Sequence, residues 1–140
     1  MILYWMLATA LAFDLAAAKS EPNLERRSDR ALENANLSLD AAKTAYDRNE
    51  IEKTLAALDE VKESVDLSYQ SLQDSGKDPR SNSHFKSAEK ATRQLLRRIE
   101  SFRDTVSAEE RDMVEALRAH VSEIHDDLLN AIMTNRRKRK

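Results

Sequence analysis

The chain has 140 residues, room for one domain, with a single glycine, two prolines and no cysteine. Lack of cysteine excludes disulfides, a lipidated cysteine anchor, covalent c-type haem and thiol chemistry. The formal net charge is −2. The basic residues that close the sequence would attract nucleic acid, but the export signal that opens it means that no nucleic-acid partner is expected.

The chain opens on an apolar run from Ile2 to Phe13, followed by Asp14 and then Leu15-Ala16-Ala17-Ala18. A short apolar core closed by small residues at the −3 and −1 positions has the form of a signal-peptidase site. This places a cut after Ala18 and assigns residues 1–18 to a signal peptide. The run is shorter than the roughly 20 apolar residues that span a bilayer. Retention as an anchor is the competing outcome, because no Lys or Arg precedes the apolar core and Asp14 sits late within it. Cleavage implies an exported protein, periplasmic or secreted.

From residue 19 the composition turns polar and helix-favouring, rich in Ala, Leu, Glu, Lys, Arg and Asp. Scarce glycine and proline argue against a fold with many tight turns. Apolar residues recur at steps of three and four. A first helix over 22–46 carries Leu32, Ala35, Leu39, Ala42 and Tyr46 on one stripe. A second over 50–73 carries Ile51, Leu55, Leu58, Val65, Tyr69 and Leu72, with Val61 beside Lys62. Between them the stripe slips by two residues, about 200° of rotation, so a turn is expected at 47–50. Asn49 with Glu52 fits an N-cap and its reciprocal acid.

Ser75-Gly76-Lys77-Asp78-Pro79 marks a loop. A third helix over 83–106 follows, with Phe85, Ala88, Thr92, Leu95, Ile99, Phe102 and Val106 on its stripe. Ser107-Ala108-Glu109-Glu110 reads as a capping box, opening a fourth helix over 108–135. Its stripe is Val114, Leu117, Val121, Ile124, Leu128 and Ala131, widened by Met113, Leu129 and Ile132. Four helices of similar length joined by short connections point to an all-α fold, an antiparallel up-down-up-down four-helix bundle over 19–135. The alternative is two long helices in one hairpin, which must dimerise to bury both faces. Monomer and homodimer are therefore both open. The aromatic residues Tyr46, Tyr69, Phe85 and Phe102 all lie on stripes, which assigns them to the core.

No cofactor is expected. A non-covalent haem site of the cytochrome b562 kind needs a methionine early in the first helix, and none is there. A di-iron bundle needs two Glu-x-x-His pairs, but Leu117 and Ser122 precede His120 and His125 by three. His120 and His125, five residues apart, differ by about 140° on the wheel and cannot share one ion. A single glycine leaves no phosphate-cradling loop. No catalytic residues are nominated, and a non-enzymatic protein is expected.

Two charge features remain. Lys86, Lys90, Arg93 and Arg97 form one basic line on the third helix, flanked in sequence by acidic second and fourth helices. The line fits either charge matching between helices or binding of anions. Arg136, Arg137, Lys138, Arg139 and Lys140 form a basic tail suited to an anionic surface such as the cell envelope, or to keeping the chain soluble. The expected function is that of an envelope interaction or structural protein that meets another protein through a helix face. The alternative is a ligand- or metal-binding bundle of the stress-response type. A chaperone-like role would need an exposed apolar groove, which the sequence does not mark.

Overall fold

The computed structural model describes residues 15–134, and among these all regular structure is helical, with no strand. Residues 15–20 form a short helical stretch, α1. Four long helices follow: α2 (Leu24–Asp47), α3 (Ile51–Asp74), α4 (Ser83–Thr105) and α5 (Ala108–Thr134). The basic tail and the apolar run that opens the chain lie outside the described residues. Within α1, Leu15 and Ala18 are buried.

The helix ends follow from local chemistry. Asn23 caps α2, its side chain accepting from the Arg26 amide at 2.9 Å. Asn82 caps α4 in the same way, accepting from His84 at 2.8 Å and Phe85 at 3.3 Å. Asn49 does not cap α3, contrary to the expectation from its spacing to Glu52. It closes α2 instead, with φ of 59°. The Glu50 amide donates to Ala45 O and the Asn49 amide to Tyr46 O, the paired bonds of a Schellman ending. Asparagine tolerates the left-handed conformation that this ending requires. Gly76, with φ of 67°, takes the same conformation after α3. At Ser107 the hydroxyl donates to the Glu110 carboxylate, tying together the two side chains of the expected box.

The α2–α3 pair packs most intimately, followed by α4–α5. α2 also touches α4, and α3 touches α5, so the two helix pairs pack against each other. The α2–α3 contact is made by small side chains. Ser28, Ala31, Ala35, Ser38, Ala42 and Ala45 follow at steps of three and four, and all are buried. Thr54, Ala57, Val61, Ser64, Ser68 and Ser71 answer them on α3. Short side chains let two backbones approach closely. Their hydroxyl groups are bonded rather than stranded: Ser28 with Ser68 at 2.7 Å, Asn34 Nδ2 to Ser64 at 2.9 Å and Ser38 to Glu60 at 2.9 Å. Thr54 and Ser71 donate back to the carbonyls of Glu50 and Leu67.

This interface shifts the buried face of α3 from the one that hydropathy alone indicates. Ile51, Leu55 and Tyr69 are only half-buried, while four hydroxyl residues are buried. Size, rather than polarity, decides which residues a close helix pair encloses.

The larger residues turn to the other two helices. One cluster joins Leu39, Leu58, Val61 and Val65 to Leu95, Ile99, Phe102, Val114, Leu117 and Val121. A smaller one joins Leu32 and Leu72 to Phe85, Ala88 and Leu128. Ile124 packs against both. Tyr46 meets Phe102 edge to face, with ring centroids 5.8 Å apart, and its hydroxyl accepts from the Ser107 amide at 2.8 Å.

Substituting Ala42→Leu adds apolar surface but forces α2 and α3 apart. It is expected to cost about 1–3 kcal/mol. Leu37→Ala, at a site 54% exposed, is expected to change stability by no more than about 0.5 kcal/mol. Urea unfolding followed by circular dichroism measures both.

Candidate functional site

Ionic groups flanking the core stitch neighbouring helices together. On α4, Arg98 donates to Asn36 Oδ1 of α2 at 2.6 Å and pairs with Asp40. Arg103 reaches Glu115 of α5 at 2.8 Å, and Arg118 holds the same carboxylate at 2.7 Å. All three histidines sit on helix boundaries and face carboxylates. His84 Nδ1 lies 3.1 Å from Asp29 and Nε2 lies 3.2 Å from Glu25, both on α2. His120 meets Asp66 of α3 at 2.5 Å, and His125 meets Glu89 of α4 at 2.9 Å.

Each of these pairs links two helices. The two ring nitrogens of His84 lie on opposite edges of the imidazole and address different carboxylates. Among the described residues no three His, Asp or Glu side chains converge as a metal site.

Lys86, Lys90, Arg93 and Arg97 fall on a different part of α4. All four are exposed. Helical geometry gathers them within about 60° of arc along about 16 Å of axis. Among the described residues only Arg93 of the four has an ion-pair partner, Glu89 on its own helix at 3.5 Å. Charge matching with α2 and α5 is carried instead by Arg98, Arg103 and the histidines. The reason is geometric: positions 84 and 98 border α2, 89 and 103 border α5, and the basic line occupies the solvent side between those borders. In the sequence nothing but their spacing from the seam distinguishes Arg98 and Arg103 from other arginines. Arg136 to Lys140 lie outside the described residues, so the tail's position relative to this line is not described.

A cleft of about 340 Å³ opens at one end of the bundle, lined by Tyr69, Leu72, Lys77, Pro79, Phe85 and Ala131 among others. Burial, and secondarily the charge of Asp127, raises the Tyr69 phenol above its usual range. No helix among the described residues is long and apolar enough to cross a membrane.

The architecture is that of an all-helical bundle protein. No protein-family model and no curated protein matches the chain.

Hydrogen bonds from Arg118 and Arg103 hold the Glu115 carboxyl at about 2, against 4.5 for a free group. A lowered folded-state value means that this pairing stabilises fully above 4.5 and is lost as pH falls from there towards 2. Glu115→Gln is therefore expected to lower the thermal midpoint near neutral pH. Its effect should shrink towards zero near pH 2, where the carboxylate itself is protonated. Melting curves of both proteins across that range measure the difference.

Proposed function

We propose that this chain is an exported, non-enzymatic interaction protein of the cell envelope. Its basic line on α4 and its basic tail dock on an anionic surface, and another protein is met through a helix face. The observation that carries the reading is the line itself. Lys86, Lys90, Arg93 and Arg97 are exposed together, and Arg93's pair with Glu89 on the same helix is their one ion pair among the described residues. A bundle that needed them for its own cohesion would place them at a helix border, where Arg98 and Arg103 stand.

The body takes the antiparallel up-down-up-down arrangement in this proposal. Partner numbers support it: Ser28, Asn34 and Ser38 meet Ser68, Ser64 and Glu60 in falling order. Glu89 and Arg103 meet His125 and Glu115, likewise falling. Export rests on the apolar run and the small residues up to Ala18. Since Ala18 is 1% exposed within α1, cleavage there belongs before folding, while the segment is extended.

Each basic residue near an anionic lipid surface is worth about 1 kcal/mol, or roughly fivefold in affinity. Lys86→Glu with Lys90→Glu, and separately truncation after Asn135, should each weaken binding to phosphatidylglycerol-containing vesicles at low salt. Unchanged binding of both variants in a flotation assay overturns the docking surface. For export, intact mass of protein recovered from the exported fraction should match a chain starting at Lys19. A full-length mass overturns cleavage.

A further inference from the structure

We infer that docking includes an apolar contact: Leu129 and Met133 of α5 enter the anionic lipid surface beside Lys86 and Lys90 of α4. The inference rests on the docking proposal and adds to it the chemistry of the partner, a lipid bilayer rather than a hydrophilic polyanion.

The register between α4 and α5 places these residues together. Glu89 meets His125 at 2.9 Å, which fixes the level at which the two helices face each other. Three residues back on α4 is Lys86, and four residues on along α5 is Leu129. Each step is about one turn towards the same end of the bundle. Met133 follows about one turn further along α5. The side is also fixed. Positions 89 and 103 of α4 and 125 and 115 of α5 meet across the interface. On their helical wheels Lys86 lies about 60° outward from Glu89, and Leu129 about 40° outward from His125. They therefore flank one outer face.

On that face two large apolar side chains are offered to solvent. Leu129 is 36% exposed and Met133 is 68% exposed, the highest value among the large apolar residues of the described chain. Both belong to the end of the bundle that has the smaller apolar cluster. Neither lies on the inner stripe, where Leu128 is 1% exposed. Asp127, the carboxylate nearest in sequence, acts on Tyr69 of α3, and Asp126 lies 3.8 Å from His125 Nδ1. Exposed Leu and Met bordered by lysines match a bilayer interface, in which headgroup charge and acyl boundary lie within one side chain's reach. A soluble polyanion has nothing for Met133 to bury against.

The chain contains no cysteine, so a single introduced thiol can be labelled alone. Full-length Met133→Cys and Leu37→Cys, each carrying an environment-sensitive fluorophore, are mixed with phosphatidylcholine vesicles with and without phosphatidylglycerol, at low and high salt. Leu37 is exposed on α2 and serves as the control. A blue shift at position 133 but not at 37, on the anionic vesicles, is the expected result. Leu129→Ser with Met133→Ser should then weaken vesicle binding by roughly tenfold or more, with an unchanged helical spectrum. If the protein floats with anionic vesicles while the probe at 133 stays unshifted, docking stands and the apolar contact is overturned. If no binding depends on anionic lipid, both fall. Equal flotation with pure phosphatidylcholine and a silent probe at 133 assigns membrane association to the Ile2–Phe13 run and also overturns both.

Discussion

The close approach of α2 and α3 is the constraint on which the rest of the bundle depends. It exists because small side chains occupy every third or fourth position on both helices, from Ser28 to Ala45 and from Thr54 to Ser71. Once those faces are committed to each other, the flanking residues have no choice of direction. Leu32, Leu39, Leu58, Val65 and Leu72 become the floor on which α4 and α5 lie. Burying hydroxyl groups costs free energy unless they are bonded. Here the bonds are made across the interface, as between Ser28 and Ser68, or back along the helix, as from Ser71 to Leu67. A polar contact of this kind also discriminates between registers, since a shift of one turn strands several donors at once.

α4 shows how one helix serves three surroundings. Its inner stripe from Phe85 to Phe102 is buried. One border carries His84 and Arg98 towards α2, and the other carries Glu89 and Arg103 towards α5. The remaining arc faces solvent and is basic. Exposed ion pairs contribute little individually, about 0–1 kcal/mol, so the borders select neighbours more than they hold the fold. The outward lysines and arginines make no pair with a neighbouring helix among the described residues.

Much of this was legible in spacing. Leu39, Leu95, Ile99, Val121 and Leu128 stand out as seam residues in the sequence and are buried. The basic line was equally plain, because charge and a helical period need no tertiary knowledge. Three things were not legible. Ser64, Ser68 and Ser71 read as solvent-facing on any hydropathy scale, and only a partner helix of equally small residues buries them. Asn49 is favoured both as an N-cap and as a left-handed helix ending, so its sequence context alone does not separate the two roles. The pairing of each histidine with a carboxylate on another helix depends on register, which a single helical wheel does not contain.

The division of the apolar core bears on where such a bundle gives way. The larger cluster spans all four long helices near the α2–α3 and α4–α5 turns. The smaller cluster, at the other end, has Phe85 and Leu72 on the wall of the open cleft. Thr92 falls between Ala88 of one cluster and Leu95 of the other, and its buried hydroxyl has no hydrogen-bond partner among the described residues. Asn34 Oδ1, on α2 between Leu32 and Ala35, is in the same condition. Each costs about 1–3 kcal/mol relative to a satisfied group. Local openings draw on the regions of fewest apolar contacts. The end with the smaller cluster is therefore the softer one, and it is the end that presents Leu129, Met133 and Lys86. In the proposed docking, the surface that yields slightly to let apolar side chains leave water is the one where yielding disturbs least of the core.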